Sequence, residues 1–253
     1  MQILLAPAKL MIDSPSECQI AGRRIPLFEA EADKIAACLC GYNVNELADM
    51  LHINKEIALS THRRYNDFFE PSTRRAAIGR YDGIVFKKID AQTLSPEQLE
   101  FADRHINICS FLYGLLRPLD LINPYRLEGD VTLPCIGGIS IFEYWQSRLT
   151  DKLISRVKDD DGILVNLASD EMRRLFDWKR ITKELTVITP TFKVEKNGKL
   201  RTIVVYAKMC RGAMSRYIIS NMITSPSALD NFTFEGFTYA GGTSSSPLFS
   251  LQS

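Results

Sequence analysis

No window of the chain approaches the ~20 consecutive apolar residues that a membrane-spanning helix needs. Its opening, Met1 to Pro7, carries neither a basic stretch nor a long apolar run. It reads as a first strand rather than an export signal, so a cytoplasmic location and no membrane partner are expected. Histidine is scarce: His52, His62 and His105 are the only three. There is no phosphate-binding loop, nucleophile elbow, metal-binding histidine pair or dinucleotide fingerprint, which excludes the catalytic families those motifs define. Six cysteines occur, Cys18, Cys38, Cys40, Cys109, Cys135 and Cys210, at irregular spacing. In a chain of this size without an export signal they are expected as reduced thiols. Cys38 and Cys40 have neither a zinc nor a redox spacing, and neither a metal nor a cofactor is expected.

What the chain does have is the composition of a globular protein: 253 residues, 45% apolar and 24% charged. That is enough to bury a full core. The net charge of +1 conceals a strong asymmetry. Between Arg173 and Arg216 twelve Lys or Arg face three acids, a local balance of +9, whereas the first 172 residues carry −6 and the tail −2. Segregation of this kind fits a polyanionic partner, and fits equally a solvated surface paired with acidic neighbours.

Strands are expected at 2–6, 83–86, 106–110, 163–167, 185–189, 191–195, 200–206 and 232–239. Helices are expected at 31–40, 45–51, 55–68, 73–80, 96–105, 139–158, 169–176 and 207–222. Ser95-Pro96-Glu97-Gln98 reads as a capping box with proline in the first turn. Asn54 reads as an N-cap after a tight link, and Asn197-Gly198 as a hairpin turn. The rhythm is not strictly βαβ, so the expected fold is mixed α/β, one domain, with a mixed central sheet surrounded by helices. The Ser/Gly/Thr-rich tail from Gly241 is expected to be mobile at its end.

Three segments place polar groups at strand ends, where open α/β sheets bind ligands. The first, 110–128, holds Tyr113, Arg117, Asp120, Tyr125, Arg126 and Glu128. Arginines beside tyrosines suit phosphate grasping with ring stacking, or a network in which the arginines pair with the acids to tie a loop down. The second is 166–171, where Asn166 closes an apolar strand and Asp170 and Glu171 begin a helix. The third is 207–217, where Lys208, Arg211 and Ser215 share one helical face and Arg216 lies on another. Gly212 in that helix points to close packing or close ligand approach. Lys9 follows the first strand. Arg63, Arg64, Arg74, Arg75 and Arg80 form a second basic group beside the paired helices.

Leu112-Tyr113-Gly114-Leu115-Leu116-Arg117-Pro118-Leu119-Asp120 with Pro124-Tyr125-Arg126-Leu127-Glu128, then Asn166 to Glu171, then Ala207-Lys208, Arg211-Gly212 and Met214-Ser215-Arg216, resemble the motifs of the YaaA family of bacterial peroxide-stress proteins. Pro7-Ala8-Lys9 resembles its N-terminal motif. The resemblance implies an α/β fold with a helix-hairpin-helix-like element, which maps onto Asn45–Phe68, and a positively charged cleft. It implies DNA binding and a role in limiting free intracellular iron and oxidative damage. The sequence departs from the pattern in three ways. Ala6 replaces a serine. Gly83-Ile84-Val85-Phe86-Lys87-Lys88-Ile89 lacks the acid, the tyrosine hydroxyl and the second glycine usual there. Gly129 and Met172 replace a methionine and an aromatic.

On this reading the chain binds the DNA backbone with little sequence preference through Lys9, Arg117, Arg126, Lys208, Arg211 and Arg216, reinforced by Arg63 and Arg64. Tyr113, Tyr125 and Asn166 would line the same site. The rival is an enzyme acting on a nucleotide or nucleobase, with Glu128 or Asp170 as general acid/base. It loses that group if each carboxylate merely pairs with an arginine. Direct iron sequestration finds no clustered ligands.

Overall fold

A computed structural model describes residues 1–14, 20–70 and 74–252. In chain order the elements are β1 (Gln2–Leu5), α1 (Glu29–Cys40), α2 (Val44–Leu51), α3 (Lys55–Asn66), β2 (Arg75–Ala76), α4 (Ala77–Arg80), α5 (Ile84–Ile89), α6 (Pro96–His105), β3 (Ile106–Ser110), β4 (Gly114–Leu116) and β5 (Leu121–Ile122). There follow α7 (Ile141–Lys158), β6 (Ile163–Asn166), α8 (Trp178–Glu184), β7 (Thr186–Ile188), β8 (Thr191–Lys196), β9 (Lys199–Arg201), α9 (Val204–Ser220), β10 (Thr238–Thr243) and β11 (Ser246–Gln252). The fold is mixed α/β, as expected.

The central sheet has the order β4-β3-β1-β6-β7. β3, β1, β6 and β7 run parallel, and β4 returns antiparallel to β3. β1 and β3 are buried at every residue, which explains why they read as unbroken apolar runs rather than alternating strands. Trp145 of α7 is fully buried and its indole N–H donates to the Phe111 carbonyl at 2.8 Å, fixing the long helix to the end of β3. A second sheet, β10-β11-β8-β9, is built from residues 191–252, and β2 pairs with β5.

Local signals set several boundaries. Asn43 with Glu46, Ser95 with Gln98, and Ser140 with Glu143 close capping boxes at the starts of α2, α6 and α7. Asn54 caps α3 by accepting from the Ile57 N–H at 2.9 Å, and His52 in the left-handed region ends α2. α2 and α3 pack on each other across this link. Asn197 and Gly198 both adopt positive φ, as the β8–β9 turn demands.

Elsewhere tertiary contacts overrule the local pattern. The stretch 83–86, expected as a strand, begins helix α5 instead, because it lies flat against α9. A Cβ added at Gly212 would meet the Val85 carbonyl oxygen at 2.4 Å, so α9 accepts this neighbour only with glycine. The strand expected over 200–206 stops at Arg201. The β-branched run beyond it starts α9, whose buried face (Ala207, Cys210, Met214 and Ile218) sets a helical phase. The strand expected over 232–239 is mostly a turn about Glu235 and Gly236, both at positive φ, before β10 starts at Thr238. The tail expected to be mobile is β10 and β11, with β11 hydrogen-bonded to both β10 and β8. Thr73 of the helix expected at 73–80 lies outside the described residues, and the rest forms β2 and α4. The helix expected at 169–176 is a 3₁₀ helix over Asp170–Leu175, and α8, capped by Asp177, has no counterpart among the expected helices.

Candidate functional site

The parallel strands, in chain order, occupy the spatial order second, first, third, fourth. The connection leaving β1 goes to one side and the next strand, β6, is laid on the other. Such a reversal opens a crevice outside the carboxyl ends of β1 and β6. The structure has a cavity of about 400 Å³ there. Ala6 to Leu10, following β1, form one wall. Leu167, Ser169, Glu171 and Met172, following β6, form another. Phe111, after β3, and Tyr125 to Leu127 contribute to its lining. The first turn of α5 (Gly83–Phe86) and Lys208 and Arg211 of α9 complete it. Ala8 and Gly83 approach so closely that a Cβ on Gly83 would lie 2.6 Å from that of Ala8.

Four cations therefore converge on a partly apolar chamber: Lys9, Arg126, Lys208 and Arg211. Lys9 and Arg126 share one carboxylate. Glu128 Oε2 lies 3.0 Å from Lys9 Nζ, and its Oε1 lies 2.9 Å from an Arg126 nitrogen. Arg126 also donates to the Lys9 carbonyl at 3.4 Å. Among the described residues Lys208 and Arg211 have no ion-pair partner. Burial pushes the Arg211 guanidinium below the usual arginine range, opposed by the nearby Asp170 charge. A half-buried guanidinium without a paired carboxylate favours an incoming anion.

Tyr125, which lines the chamber, belongs to a row of buried hydroxyls. Tyr125 OH is 2.8 Å from Ser110 Oγ and 3.0 Å from Tyr81 OH. Burial pushes the Tyr125 phenol up to about 12, so it stays neutral and can donate or accept.

The remaining expected residues lie outside this chamber. Arg64 pairs with Asp13 at 2.8 Å and donates to the Tyr125 and Met11 carbonyls, so it braces the loop that carries Arg126. Arg63 borders a separate, smaller cavity of about 250 Å³ with Ser60, Asp67 and Asn123. Tyr113 is buried and its hydroxyl accepts from the Asn123 N–H at 3.0 Å. Arg117 donates to the Asp103 carbonyl at 3.0 Å, beside the Arg24–Asp103–Asp120 cluster. There burial alone would raise Asp103, but the Arg24 hydrogen bonds bring it below the usual carboxylate range. Asn166 accepts from the Ala168 N–H at 3.2 Å and so shapes the turn after β6. Arg216 donates to the Ile89 and Asp90 carbonyls and to Thr93 Oγ1, clamping the end of α5. Asp170 is exposed and pairs with Arg173 at 3.0 Å. Both candidate acid/base carboxylates are thus held by arginines.

Sequence reasoning misses Gly83–Phe86 and Phe111 as parts of the site, and Tyr81 as the partner of Tyr125 behind it. Nothing local marks them. Gly83–Phe86 stand out in the sequence only as a departure from a family motif, and that departure faces the cavity. Among the described residues no group of three or more His, Cys, Asp and Glu is arranged to hold a metal, and no helix is long and apolar enough to cross a membrane.

Fold and site together define an α/β protein with a cation-lined chamber at the switch point of its central sheet. Residues 1–242 match the family model described as peroxide stress protein YaaA. The chain is 47% identical over 256 residues to a UPF0246 protein of Phocaeicola vulgatus, covering 100% of both chains. It is 49% identical over 240 residues to one of Bacteroides fragilis, covering 94% of this chain and 93% of the other. It is 40% identical over 216 residues to one of Porphyromonas gingivalis, covering 85% and 84%. The chain belongs to the YaaA family of peroxide stress proteins.

Proposed function

We propose that the protein is a DNA-binding member of the peroxide stress response, cytoplasmic, that limits free iron and oxidative DNA damage, and that it holds nucleic-acid phosphates at the mouth of the switch-point chamber. The observation that carries this reading is the pair Lys208 and Arg211, cations at the chamber without an ion-pair partner among the described residues, opposite Lys9 and Arg126, which share Glu128. Contacts of this kind neutralise phosphates and release counterions, so affinity depends on salt and hardly on sequence.

The chamber's size adds a second reading. A duplex does not enter about 400 Å³, but a single nucleotide unit does, with its phosphate on the cations and its ring against Phe111 and Leu127. That favours single-stranded or branched DNA, or a free nucleotide, over intact duplex. An enzyme in the same chamber has to do without Glu128 or Asp170 as a free acid/base, because Arg126 and Arg173 hold them.

Fluorescence anisotropy of labelled duplex, single-stranded and branched DNA across a salt series tests both readings. Wild type is expected to bind at low salt with affinity falling steeply as salt rises. The variant Lys208→Ala/Arg211→Ala is expected to lose affinity for all sequences alike and to flatten the log–log salt slope by about 2. No binding to any form at low salt sinks the DNA reading. Binding of free nucleotides under those conditions establishes the nucleotide reading instead. For the iron role, whole-cell electron paramagnetic resonance of chelatable ferric iron is expected to rise in peroxide-treated cells that lack the protein.

A further inference from the structure

The cysteines are not equivalent. Cys18 lies outside the described residues. Cys109 and Cys210 are buried in the core. Cys40 has its thiol committed to α3, donating to the Tyr65 carbonyl at 3.0 Å. Cys38 and Cys135 differ from these. Cys38 stands in the last turn of α1, and Cys135 is the middle residue of the 3₁₀ turn Pro134–Ile136. α1 packs against that turn, with Cα atoms of the two within 8 Å. Both cysteines are partly exposed at the edge of the core, and the Cys38 side chain acts electrostatically on the Cys135 thiol. They are remote in sequence, so the fold alone has brought them together.

From this juxtaposition we propose that Cys38 and Cys135 form a peroxide-oxidisable dithiol, a modification site that closes to an intramolecular disulfide joining α1 to the segment before α7. A disulfide needs Cα atoms about 4.4–6.8 Å apart and a bond of ~2.05 Å, and the packing of α1 on the turn brings the two segments into that neighbourhood. The inference stands apart from the anion chamber and does not depend on it.

The chemistry balances with hydrogen peroxide as oxidant. The Cys38 thiolate attacks one peroxide oxygen. The S–O bond forms, the O–O bond breaks, and the leaving hydroxide takes a proton to become water. Cys135, giving up its proton, then attacks the Cys38 sulfur. The S–S bond forms, the S–O bond breaks, and a second water leaves. Two thiols are oxidised and one peroxide is reduced to two waters. The order follows from the surroundings. Burial, then the neighbouring Cys38 sulfur, push the Cys135 thiol up to about 11, so Cys135 keeps its proton until the second step. Cys38 is thus the attacking sulfur and Cys135 the resolving one.

The test uses the full chain, reduced, desalted and exposed to hydrogen peroxide, then alkylated with N-ethylmaleimide and mapped by mass spectrometry. The expected result is loss of alkylation at Cys38 and Cys135 together, a peptide linking the two, and recovery of both sites with dithiothreitol. In Cys135→Ser, dimedone is expected to label Cys38 after peroxide. The proposal is overturned if both thiols remain alkylatable, if Cys38 links to Cys40 or to a second chain, or if dimedone labels neither. The linked peptide is sought in the wild-type chain, so a Cys135→Ser variant that folds poorly does not affect that result.

Discussion

Glu128 is the residue on which the electrostatics of the chamber turn. One partly buried carboxylate is shared by Lys9 and Arg126, so it cancels part of the positive field where an anion would arrive. Removing its charge releases two cations rather than one. Glu128→Gln keeps the shape and a hydrogen-bonding oxygen, so it is expected to tighten DNA or nucleotide binding several-fold and to steepen the salt slope. Anisotropy measured beside wild type checks this, and unchanged or weakened binding contradicts it. The same residue shows the limit of sequence reading at this scale. Its motif marks Glu128 for chemistry, but a sequence cannot tell a carboxylate free in a cleft from one ion-paired to its neighbours. Arg117 and Arg216 teach the converse. Each reads in the sequence as a phosphate ligand, yet Arg117 turns its Nε–H to the Asp103 carbonyl and Arg216 clamps the Ile89 and Asp90 carbonyls.

Elements that begin with a cap are legible, because capping is a contact between residues three apart and needs nothing beyond the local chain. α6, α3 and the β8–β9 turn lie where Ser95, Asn54 and Asn197-Gly198 place them. α5 and the start of α9 are not legible. Short apolar, β-branched runs such as 83–86 and 203–206 fit either period, and only their partner decides. That partner is the other helix: Gly212 lets α9 settle onto the Val85 backbone, and the pair then roofs the chamber. Gly212→Ala improves intrinsic helix propensity by up to about 1 kcal/mol. Here it drives a methyl into a backbone oxygen that cannot rotate away. The expected net outcome is a loss of roughly 1–3 kcal/mol by urea denaturation, with weaker anion binding as Lys208 and Arg211 are displaced. A stabilised protein contradicts the packing argument.

On the scale of the whole molecule, residues 191–252 close a sheet of their own, and its last strand holds it together. β11 pairs with β10 on one side and β8 on the other. Phe249 is fully buried, with its ring centroid 5.5 Å from Phe192, 5.6 Å from Phe232 and 5.8 Å from Tyr239. Phe249→Ala is therefore expected to cost about 3–5 kcal/mol of stability. The loss is measurable by chemical denaturation, where a surface tail would show no change.

The amino-acid sequence determined the class of the fold, the family, the caps at Asn54 and Ser95, the Asn197-Gly198 turn, and a core of the residues that meet at the chamber: Lys9, Tyr125, Arg126, Lys208 and Arg211. These are written in short-range chemistry or in motifs that persist as strings. Only the tertiary structure decided which arginines face the chamber and which brace the chain. It alone decided that 83–86 lines the chamber as a helix, that the Ser/Gly-rich tail is a paired strand, and that Cys38 meets Cys135. Each of those depends on segments far apart in the chain that become neighbours once the sheet order is fixed. Strand order is a global property that no local window of residues contains.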